Sequence, residues 1–267
     1  MNKVKLIATD IDGTLVKESS PQIPEEYFEL IRRLVDAGYL FFVASGRTYH
    51  GIRTMFHEVA DQIGYIAENG AHVVYKGEEI SITEMRKNDI TDIMNEFRKN
   101  KDTCDYVIST PKGSLLETNN QDFIALMRDG YHNEYRITED ILKENAVIIK
   151  MAIFRKKSIR SLGEELIPAW NERVKVCMAG EEWVDFMDKS VDKGAALQKI
   201  QKWMNIKREE TMAFGDNEND IGLIQNAGFG YAVANAIFEV KKEAGYICPS
   251  YTENGVYHVL SELLDSK

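Results

Sequence analysis

The chain has 267 residues, of which 44% are hydrophobic and 28% are charged, with only 5 prolines. This composition is typical of a folded globular protein with one large or two modest domains, and it excludes a largely disordered chain. The net charge of -10 argues against a nucleic-acid partner held by bulk electrostatics, and 3 widely spaced cysteines argue against a disulfide framework or structural zinc site. No apolar run reaches the length of a signal-peptide core or membrane span, so we expect a cytoplasmic protein without a membrane partner.

The first third of the chain alternates buried strands with helices. A near-continuous apolar run over 4–9 predicts a core strand, and Pro24 opens a helix that ends at Gly38. The elements predicted next are a strand within 39–47, a helix over 48–59, a strand over 65–70 and a hairpin over 72–82 that turns at Lys76 and Gly77. The strand, helix, strand order implies parallel strands joined by right-handed crossovers.

The pattern becomes irregular from about residue 83, where short mixed elements predict a separate α+β module. These elements are a helix over 89–100, strands near 104–109 and 114–118, a helix over 121–128, a strand over 147–154 and a helix over 158–167. Simple alternation resumes after residue 188. We therefore predict an α/β fold, a doubly wound parallel sheet formed by residues 1–82 and 188–267, with residues 83–187 inserted into it.

Polar residues follow the predicted core strands at the point where each strand ends. Asp10 and Asp12 follow the first strand, Ser45 follows the second, and Asp216 follows a strand near the other end of the chain. Lys193 stands at the start of a resumed core helix. In an open parallel sheet, ligands bind beyond the carboxyl ends of the strands, so these residues form a candidate site.

The paired aspartates, two residues apart, point to metal-assisted phosphoryl transfer. In an extended backbone both side chains face one side, and Gly13 lets the chain turn directly afterwards. Carboxylates this close repel each other, and Mg²⁺, which prefers a few carboxylate or carbonyl oxygens together with phosphate, would relieve the repulsion with Asp216 as a further ligand. Asp10 would then attack phosphorus, and Asp12 would protonate the leaving oxygen.

Each of these residues, taken alone, also has an ordinary structural interpretation. A strand followed by two spaced aspartates is more often a loop or another metal site, Ser45 alone is more often a helix cap, and Lys193 alone a solvated charge. It is their combination in one ordered set that favours the catalytic interpretation.

The segments "DIDGT", "ASGR", "DKGAAL" and "GDNEND", in this order, resemble the haloacid dehalogenase (HAD) superfamily and, more closely, its Cof-type phosphatases. The resemblance spans the whole chain, because Cof-type members are similar in carrying a large α/β cap between the second and third segments. It implies a Rossmann-like core with an inserted C2-type (C2B) cap.

The resemblance also implies roles for the acidic residues. It makes Asp10 the nucleophile and a Mg²⁺ ligand, and Asp12 the acid and base, which also binds Mg²⁺ through its backbone carbonyl. In the last segment it implies Asp216 as a Mg²⁺ ligand and Asp220 as a supporting partner of the ligands.

The phosphate contacts implied by the resemblance are Ser45, Gly46 and Lys193, with Asn219 as a phosphate or substrate contact. Arg47, directly after Gly46, and Asn69 are further candidates for substrate contact. For Asn69 the alternative is a polar turn between two strands, and we favour the turn.

The function predicted from these residues is a Mg²⁺-dependent phosphatase for a small phosphorylated metabolite, a sugar phosphate or a nucleotide or cofactor phosphate. Two alternatives use the same scaffold: a phosphomutase, which returns the phosphoryl group to a second substrate oxygen, and a noncatalytic sensor of a phosphorylated ligand. The sequence leaves the oligomeric state open between monomer and homodimer.

Overall fold

The computed structural model of the protein describes residues 3–18 and 20–266. These residues divide into two compact units. The first combines the N-terminal segment up to Ser81 with the C-terminal segment from Asp192, and the second comprises Ile82–Val191. Each unit has buried apolar clusters built from its own residues.

The strands of the described residues are, in chain order, β1 (Leu6–Asp10), β2 (Leu40–Ala44), β3 (Gly64–Ala67), β4 (His72–Tyr75), β5 (Glu78–Ile82), β6 (Asp105–Thr110), β7 (Gly113–Leu116), β8 (Tyr135–Ile137), β9 (Lys150–Phe154), β10 (Lys175–Ala179), β11 (Trp183–Met187), β12 (Thr211–Gly215), β13 (Phe229–Val233) and β14 (Tyr246–Cys248).

The α-helices are α1 (Glu25–Asp36), α2 (Tyr49–Met55), α3 (Lys87–Lys99), α4 (Gln121–Ala125), α5 (Arg160–Trp170), α6 (Lys193–Met204), α7 (Ile221–Gln225), α8 (Phe238–Glu243) and α9 (Gly255–Asp265). In the part of the chain that the structure describes, none of the helices has the length and apolar character needed to cross a lipid bilayer.

The first unit contains an eight-stranded sheet in the order β14-β13-β12-β1-β2-β3-β4-β5. Strands β14 to β3 run parallel, and β4 runs antiparallel to β3. Alternate residues of β1 enter different cores: Ile7 packs in the cluster that contains α1 and α9, whereas Leu6 and Ala8 pack in the cluster that contains α6. Helices on both faces explain why the central strands are apolar throughout, and the predicted α/β class is confirmed.

The register of the central strands brings the sequence-distant polar residues to one edge. Asp10 of β1 is opposite Ala44 of β2, and Thr9 is opposite Phe214 of β12. The residues that follow these three parallel strands therefore emerge side by side at their carboxyl ends.

The second unit contains a six-stranded sheet in the order β10-β11-β9-β6-β7-β8, antiparallel except between β7 and β8. Three of its strands, β8, β10 and β11, were not predicted. β8 and β10 lie at the ends of the sheet, so each pairs along one side only, and the exposed positions within them break the apolar pattern that identifies a central strand. β11 is an inner strand whose apolar run is interrupted by Asp185.

Two predicted helices are shorter than expected. The helix predicted over 48–59 ends at Met55 and continues as turns, and the helix predicted over 121–128 changes at Leu126 to a π-helical turn.

The hairpin is confirmed at its predicted position: Lys76 and Gly77 have φ values of 51° and 79°, as a two-residue hairpin turn requires.

Candidate active site

Asp10 is the last residue of β1 and its carboxylate is buried, with 5% of the residue exposed. Its Oδ1 atom accepts a hydrogen bond of 2.6 Å from Nζ of Lys193. Among the described residues, its Oδ2 atom has no hydrogen-bond partner although it is buried. A buried carboxylate oxygen without a partner is costly, so this atom is a place where a ligand is expected.

Lys193 is the first residue of α6, whose N-cap is Asp192: the Asp192 side chain accepts a hydrogen bond from the backbone N–H of Ala195. The Lys193 ammonium group lies between two carboxylates, 2.6 Å from Asp10 Oδ1 and 2.6 Å from Asp220 Oδ1. Burial by itself would lower the pKa of Lys193, but the two carboxylates outweigh it and the pKa lies above its usual value. Lys193 is therefore a permanent cation at the centre of the site.

The side chain of Asp220 stabilises the loop that follows β12. Its Oδ2 atom accepts hydrogen bonds from the backbone N–H groups of Asp216 and Asn217, both at 3.1 Å, and its Oδ1 atom accepts from Lys193. A Cβ at Gly215 would overlap the Asp220 side chain, so the close approach depends on glycine there. The Asp220 side chain thus holds Lys193 and the backbone of Asp216 and Asn217 in place.

Asp216 lies beyond β12 and its Oδ1 atom accepts a hydrogen bond of 3.0 Å from the hydroxyl of Thr14. Burial, followed by the charge of Asp220, raises the pKa of Asp216 to about 6, although the bond from Thr14 opposes the shift. Burial also raises the pKa of Asp10 well above its usual range; Asp220 and Asp216 add to this effect, and Lys193 opposes it. The site therefore holds excess negative charge that its own lysine does not neutralise.

This acidic cluster fits a bound divalent cation. Carboxylate oxygens of Asp10, Asp216 and Asp220 lie within 4.8 Å of one another. Both oxygens of Asp220 and Oδ1 of Asp216 already accept hydrogen bonds, so Asp10 Oδ2 and Asp216 Oδ2 are the side-chain oxygens best placed to bind a metal. Hard carboxylate oxygens are the ligands that Mg²⁺ and similar ions prefer.

Asp12 does not join this cluster through its carboxylate, which instead faces Arg47. The guanidinium group binds both oxygens, with Nε 2.8 Å from Oδ2 and an Nη atom 2.7 Å from Oδ1. The same Nη atom donates to the carbonyl oxygen of Ser20 at 2.8 Å. The structure therefore brings Arg47 to Asp12, a contact that sequence reasoning did not anticipate.

Ser45 and Gly46 form the turn after β2. The Ser45 backbone N–H donates to Ile66, and its carbonyl oxygen accepts from the backbone N–H of Asn69, both at 2.9 Å. A Cβ at Gly46 would approach the amide of Asn69 to 3.2 Å, which is a tight contact. These contacts place Ser45 and Gly46 beside the turn after β3, and the pairing of Asp10 with Ala44 puts them at the same sheet edge as Asp10.

Asn69 is buried and has a positive φ of 56°, in a short turn between β3 and β4. Its side-chain oxygen accepts a hydrogen bond of 3.0 Å from the side-chain amide of Asn219. Two residues that the sequence marked as candidate contacts for substrate therefore touch each other. Asn69 thus lies in a turn between two strands, and its side chain is buried there.

Two further residues of the site were not singled out from the sequence. Thr14, in the "DIDGT" segment, donates to Asp216 across 202 positions of the chain. The side-chain amide of Asn235 donates to the carbonyl oxygen of Gly13 at 2.7 Å, and its oxygen accepts from the backbone N–H of Tyr251. Asn235 lies two residues beyond β13, just past the end of a core strand, where the other polar residues of the site also occur.

Substitution of Gly13 by alanine is expected to impair the site more than the fold. Gly13 has a φ of +85°, and a Cβ there would overlap Oδ2 of Asp216. The overlap is relieved when the Asp216 carboxylate moves out of its position, so we expect Gly13→Ala to lower turnover by about a hundredfold or more. The matched control is Gly38→Ala, with a φ of +89° and no atom within 4 Å of the added Cβ.

The control isolates the cost of the backbone conformation, about 1–2 kcal/mol, from the overlap with Asp216. Thermal unfolding and steady-state kinetics of both variants measure the two effects. Equal activity of the two variants would show that the overlap has no functional consequence.

A parallel sheet flanked by helices, with a buried lysine and carboxylates at its carboxyl edge, defines an α/β protein whose reactive groups lie where ligands bind in such sheets. A sequence model of the family described as haloacid dehalogenase-like hydrolase matches residues 7–260. The chain belongs to this family.

Two relatives that match over nearly their whole length are named as phosphatases. The chain is 27% identical over 270 residues to the 5-amino-6-(5-phospho-D-ribitylamino)uracil phosphatase YbjI of Escherichia coli, covering 98% of this chain and 96% of the relative. It is 28% identical over 268 residues to phosphoglycolate phosphatase 1 of Saccharolobus solfataricus, with the same coverage, 98% and 96%. A crystal structure of a Eubacterium rectale protein matches with a TM-score of 0.86 and 37% identity, covering 97% of this chain and 99% of that one. The chain is a HAD-like phosphatase, a phosphoric monoester hydrolase.

Proposed function

We propose that the protein hydrolyses a small phosphorylated metabolite through an aspartyl-phosphate intermediate, with Mg²⁺ as its metal. The observation that carries this proposal is the state of Asp10. One of its oxygens is held by Lys193, and the other is buried without a partner among the described residues. A carboxylate oriented by one oxygen and open at the other is prepared to act as a nucleophile.

The proposed reaction has two displacements at phosphorus. First, a carboxylate oxygen of Asp10 bonds to phosphorus, the ester P–O bond breaks, and the leaving oxygen takes a proton from Asp12. Then Asp12 removes a proton from water, the water oxygen bonds to phosphorus, and the bond between phosphorus and Asp10 breaks to release inorganic phosphate.

Lys193 and Ser45 are proposed to bind the oxygens of the transferring phosphoryl group. Lys193 has three N–H donors, and its contacts with Asp10 and Asp220 account for two of them. The Ser45 hydroxyl oxygen accepts from the backbone N–H of Arg47, which leaves its own proton for donation. Gly46 and Asn219 are proposed as further contacts in the same turn regions.

Asp10 and Asp216 are proposed as the side-chain ligands of Mg²⁺, with the backbone carbonyl of Asp12 as the third protein ligand and Asp220 as support. Bound Mg²⁺ supplies positive charge that stabilises the negative charge of the transferring phosphoryl oxygens. Burial and then repulsion between the carboxylates raise the pKa of Asp10 and Asp216, and the positive charge of the ion would offset both effects.

The substrate is proposed to be a phosphate monoester of a small metabolite, either a sugar phosphate or a nucleotide or cofactor phosphate. The names of YbjI and of the phosphoglycolate phosphatase support this class, because both name small phosphate monoesters. We further propose that residues 83–187 serve as the cap domain. Support comes from a second compact unit, Ile82–Val191, that builds its own sheet and core.

A Mg²⁺-supplemented screen of phosphorylated metabolites, ranked by kcat/KM and followed by inorganic phosphate release, tests the proposal. We expect free phosphate from at least one monoester and a phosphorylated protein on rapid acid quenching. An isomeric sugar phosphate in place of free phosphate would favour a phosphomutase. Tight binding with no turnover of any ester, aryl phosphates included, would favour a sensor and contradict the proposal.

The affinity for Mg²⁺ is expected to fall as the pH is lowered through about 6. Asp216 must lose its proton to bind the ion, and with a pKa of about 6 it is roughly nine-tenths ionised at about pH 7 and one-tenth at about pH 5. Asp216 alone therefore weakens binding about tenfold between these values, and the raised pKa of Asp10 adds to the loss. Calorimetric titration with Mg²⁺ at both pH values measures the effect.

The stability of the metal-free protein is expected to change with pH in the opposite direction to its affinity for Mg²⁺. The pKa of Asp216 is about 6 in the folded state, above its usual value of 3.8, so the folded state binds more protons than the unfolded state between these two values. Protonation of Asp216 therefore stabilises the fold at low pH, and this stabilisation is lost as the pH rises through about 6. The Mg²⁺-induced increase in Tm should therefore grow with pH. Asp216→Asn serves as the control, and its Tm should not rise when Mg²⁺ is added. Equal Mg²⁺-induced increases in the Tm of the wild type at about pH 5 and about pH 7 would contradict the assignment of Asp216 as a metal ligand.

A further inference from the structure

The contact between Arg47 and Asp12 joins two loops that follow neighbouring parallel strands. Asp12 lies two residues beyond β1 and Arg47 three residues beyond β2, and the guanidinium binds both oxygens of the carboxylate. Both side chains are about one-quarter exposed. A two-point contact between planar groups restricts rotation of the carboxylate far more than a single hydrogen bond does.

Arg47 is itself held at both ends. Its backbone N–H donates to the hydroxyl of Ser45 at 3.2 Å, and its carbonyl oxygen accepts from the backbone N–H of Glu68 at 3.0 Å. At the other end, the guanidinium donates to the carbonyl oxygen of Ser20 at 2.8 Å. An arginine anchored in this way has a defined position, and it transmits that position to the carboxylate it binds.

We propose that Arg47 is a positioning residue that acts through Asp12, by fixing the direction in which the Asp12 carboxylate faces the site. This inference rests on the proposed function, in which Asp12 moves the proton. It replaces substrate contact as the role of Arg47, because the guanidinium directs its Nε atom and one Nη atom to Asp12 and Ser20. The other Nη atom lies 3.7 Å from the sulfur of Met55.

The test is a double-mutant cycle with Arg47→Lys and Asp12→Asn, assayed with an alkyl phosphate identified by the screen and with p-nitrophenyl phosphate. Lysine keeps the charge but cannot bind both carboxylate oxygens in one plane. For Arg47→Lys we expect kcat on the alkyl phosphate to fall about tenfold to a hundredfold, with KM and the inhibition constant of inorganic phosphate within about threefold of the wild type. The loss on p-nitrophenyl phosphate should be smaller, because its leaving group needs little help from a proton donor.

In the Asp12→Asn background, Arg47→Lys should cost less than about twofold more, since a residue that acts through Asp12 has little left to act on. The proposal would be overturned if the loss of kcat in the double variant equalled the product of the losses in the two single variants. A raised KM with weaker inhibition by phosphate would also overturn it, because both indicate substrate contact. Arg136→Lys is the control, because Arg136 also binds both oxygens of a carboxylate, that of Glu144 in the second unit, through its two Nη atoms.

Thermal unfolding of the same four proteins separates this inference from the proposed function. A wild type that turns over no phosphate ester would contradict the proposed function whatever the cycle shows. Additive changes in Tm for the two substitutions would overturn the proposed pairing of Arg47 with Asp12 independently of any activity.

Discussion

Asp10→Asn is expected to abolish turnover, lowering kcat by about 10⁴-fold or more. The amide has nearly the shape of the carboxylate, but its oxygen is a poor nucleophile and its nitrogen would meet either Lys193 or the position of the bound metal. Because Asp10 is the proposed site of covalent phosphorylation, the phosphorylated protein should also disappear on acid quenching. Steady-state release of phosphate and intact-protein mass spectrometry measure the two losses.

The fold is expected to tolerate this substitution. Lys193 retains its contact with Asp220, and removal of the Asp10 charge also removes its repulsion from Asp220 and Asp216. Asp102→Asn is the matched control: the same chemical change at an exposed position in the second unit should leave kcat unchanged. Turnover by Asp10→Asn within about tenfold of the wild type would contradict the proposed nucleophile.

Lys193→Met is expected to cost about 3–5 kcal/mol of stability at neutral pH, in addition to the loss of turnover. The Lys193 side chain is fully buried, and its removal leaves the carboxylates of Asp10 and Asp220 without a cation. Since the pKa of Lys193 is raised, its stabilising contribution is present throughout the neutral range and is lost only at strongly alkaline pH. Urea or thermal unfolding at neutral pH measures the change.

The control is Lys202→Met, which removes an exposed lysine from the last turn of the same helix and should change stability by less than about 1 kcal/mol. If Lys193→Met does not fold, the double variant Lys193→Met with Asp220→Asn provides the second measurement. It removes one of the two uncompensated charges and should recover part of the stability. A single Lys193→Met variant within about 1 kcal/mol of the wild type would contradict the role assigned to the ion pairs.

Much of the first unit could be predicted because its signals are local. The central strands are apolar on both faces, so β1 and β2 appear as continuous hydrophobic runs, and α1 begins directly after Pro24. The edge strands β8 and β10 escaped prediction for the opposite reason. An edge strand is paired along one side and partly exposed, so its residues need not be apolar and the alternation is lost.

The candidate site could be predicted as a set of residue types but not as a set of contacts. The carboxyl ends of parallel strands meet at one edge, which was sufficient to group Asp10, Ser45 and Asp216. It was not sufficient to show that Arg47 would bind Asp12, or that Thr14 would donate to Asp216, because side-chain direction depends on loop conformation rather than on strand order.

By itself, the sequence determined the α/β class, the order of the four segments and the chemistry of their side chains, since periodicity and residue type are properties of the chain alone. The tertiary structure alone decided which atoms meet. It assigned one oxygen of Asp10 to Lys193 and left the other without a partner among the described residues. The physical reason is that hydrogen bonds and burial depend on distances of a few ångströms between residues up to 222 positions apart, and only the packed fold sets such distances.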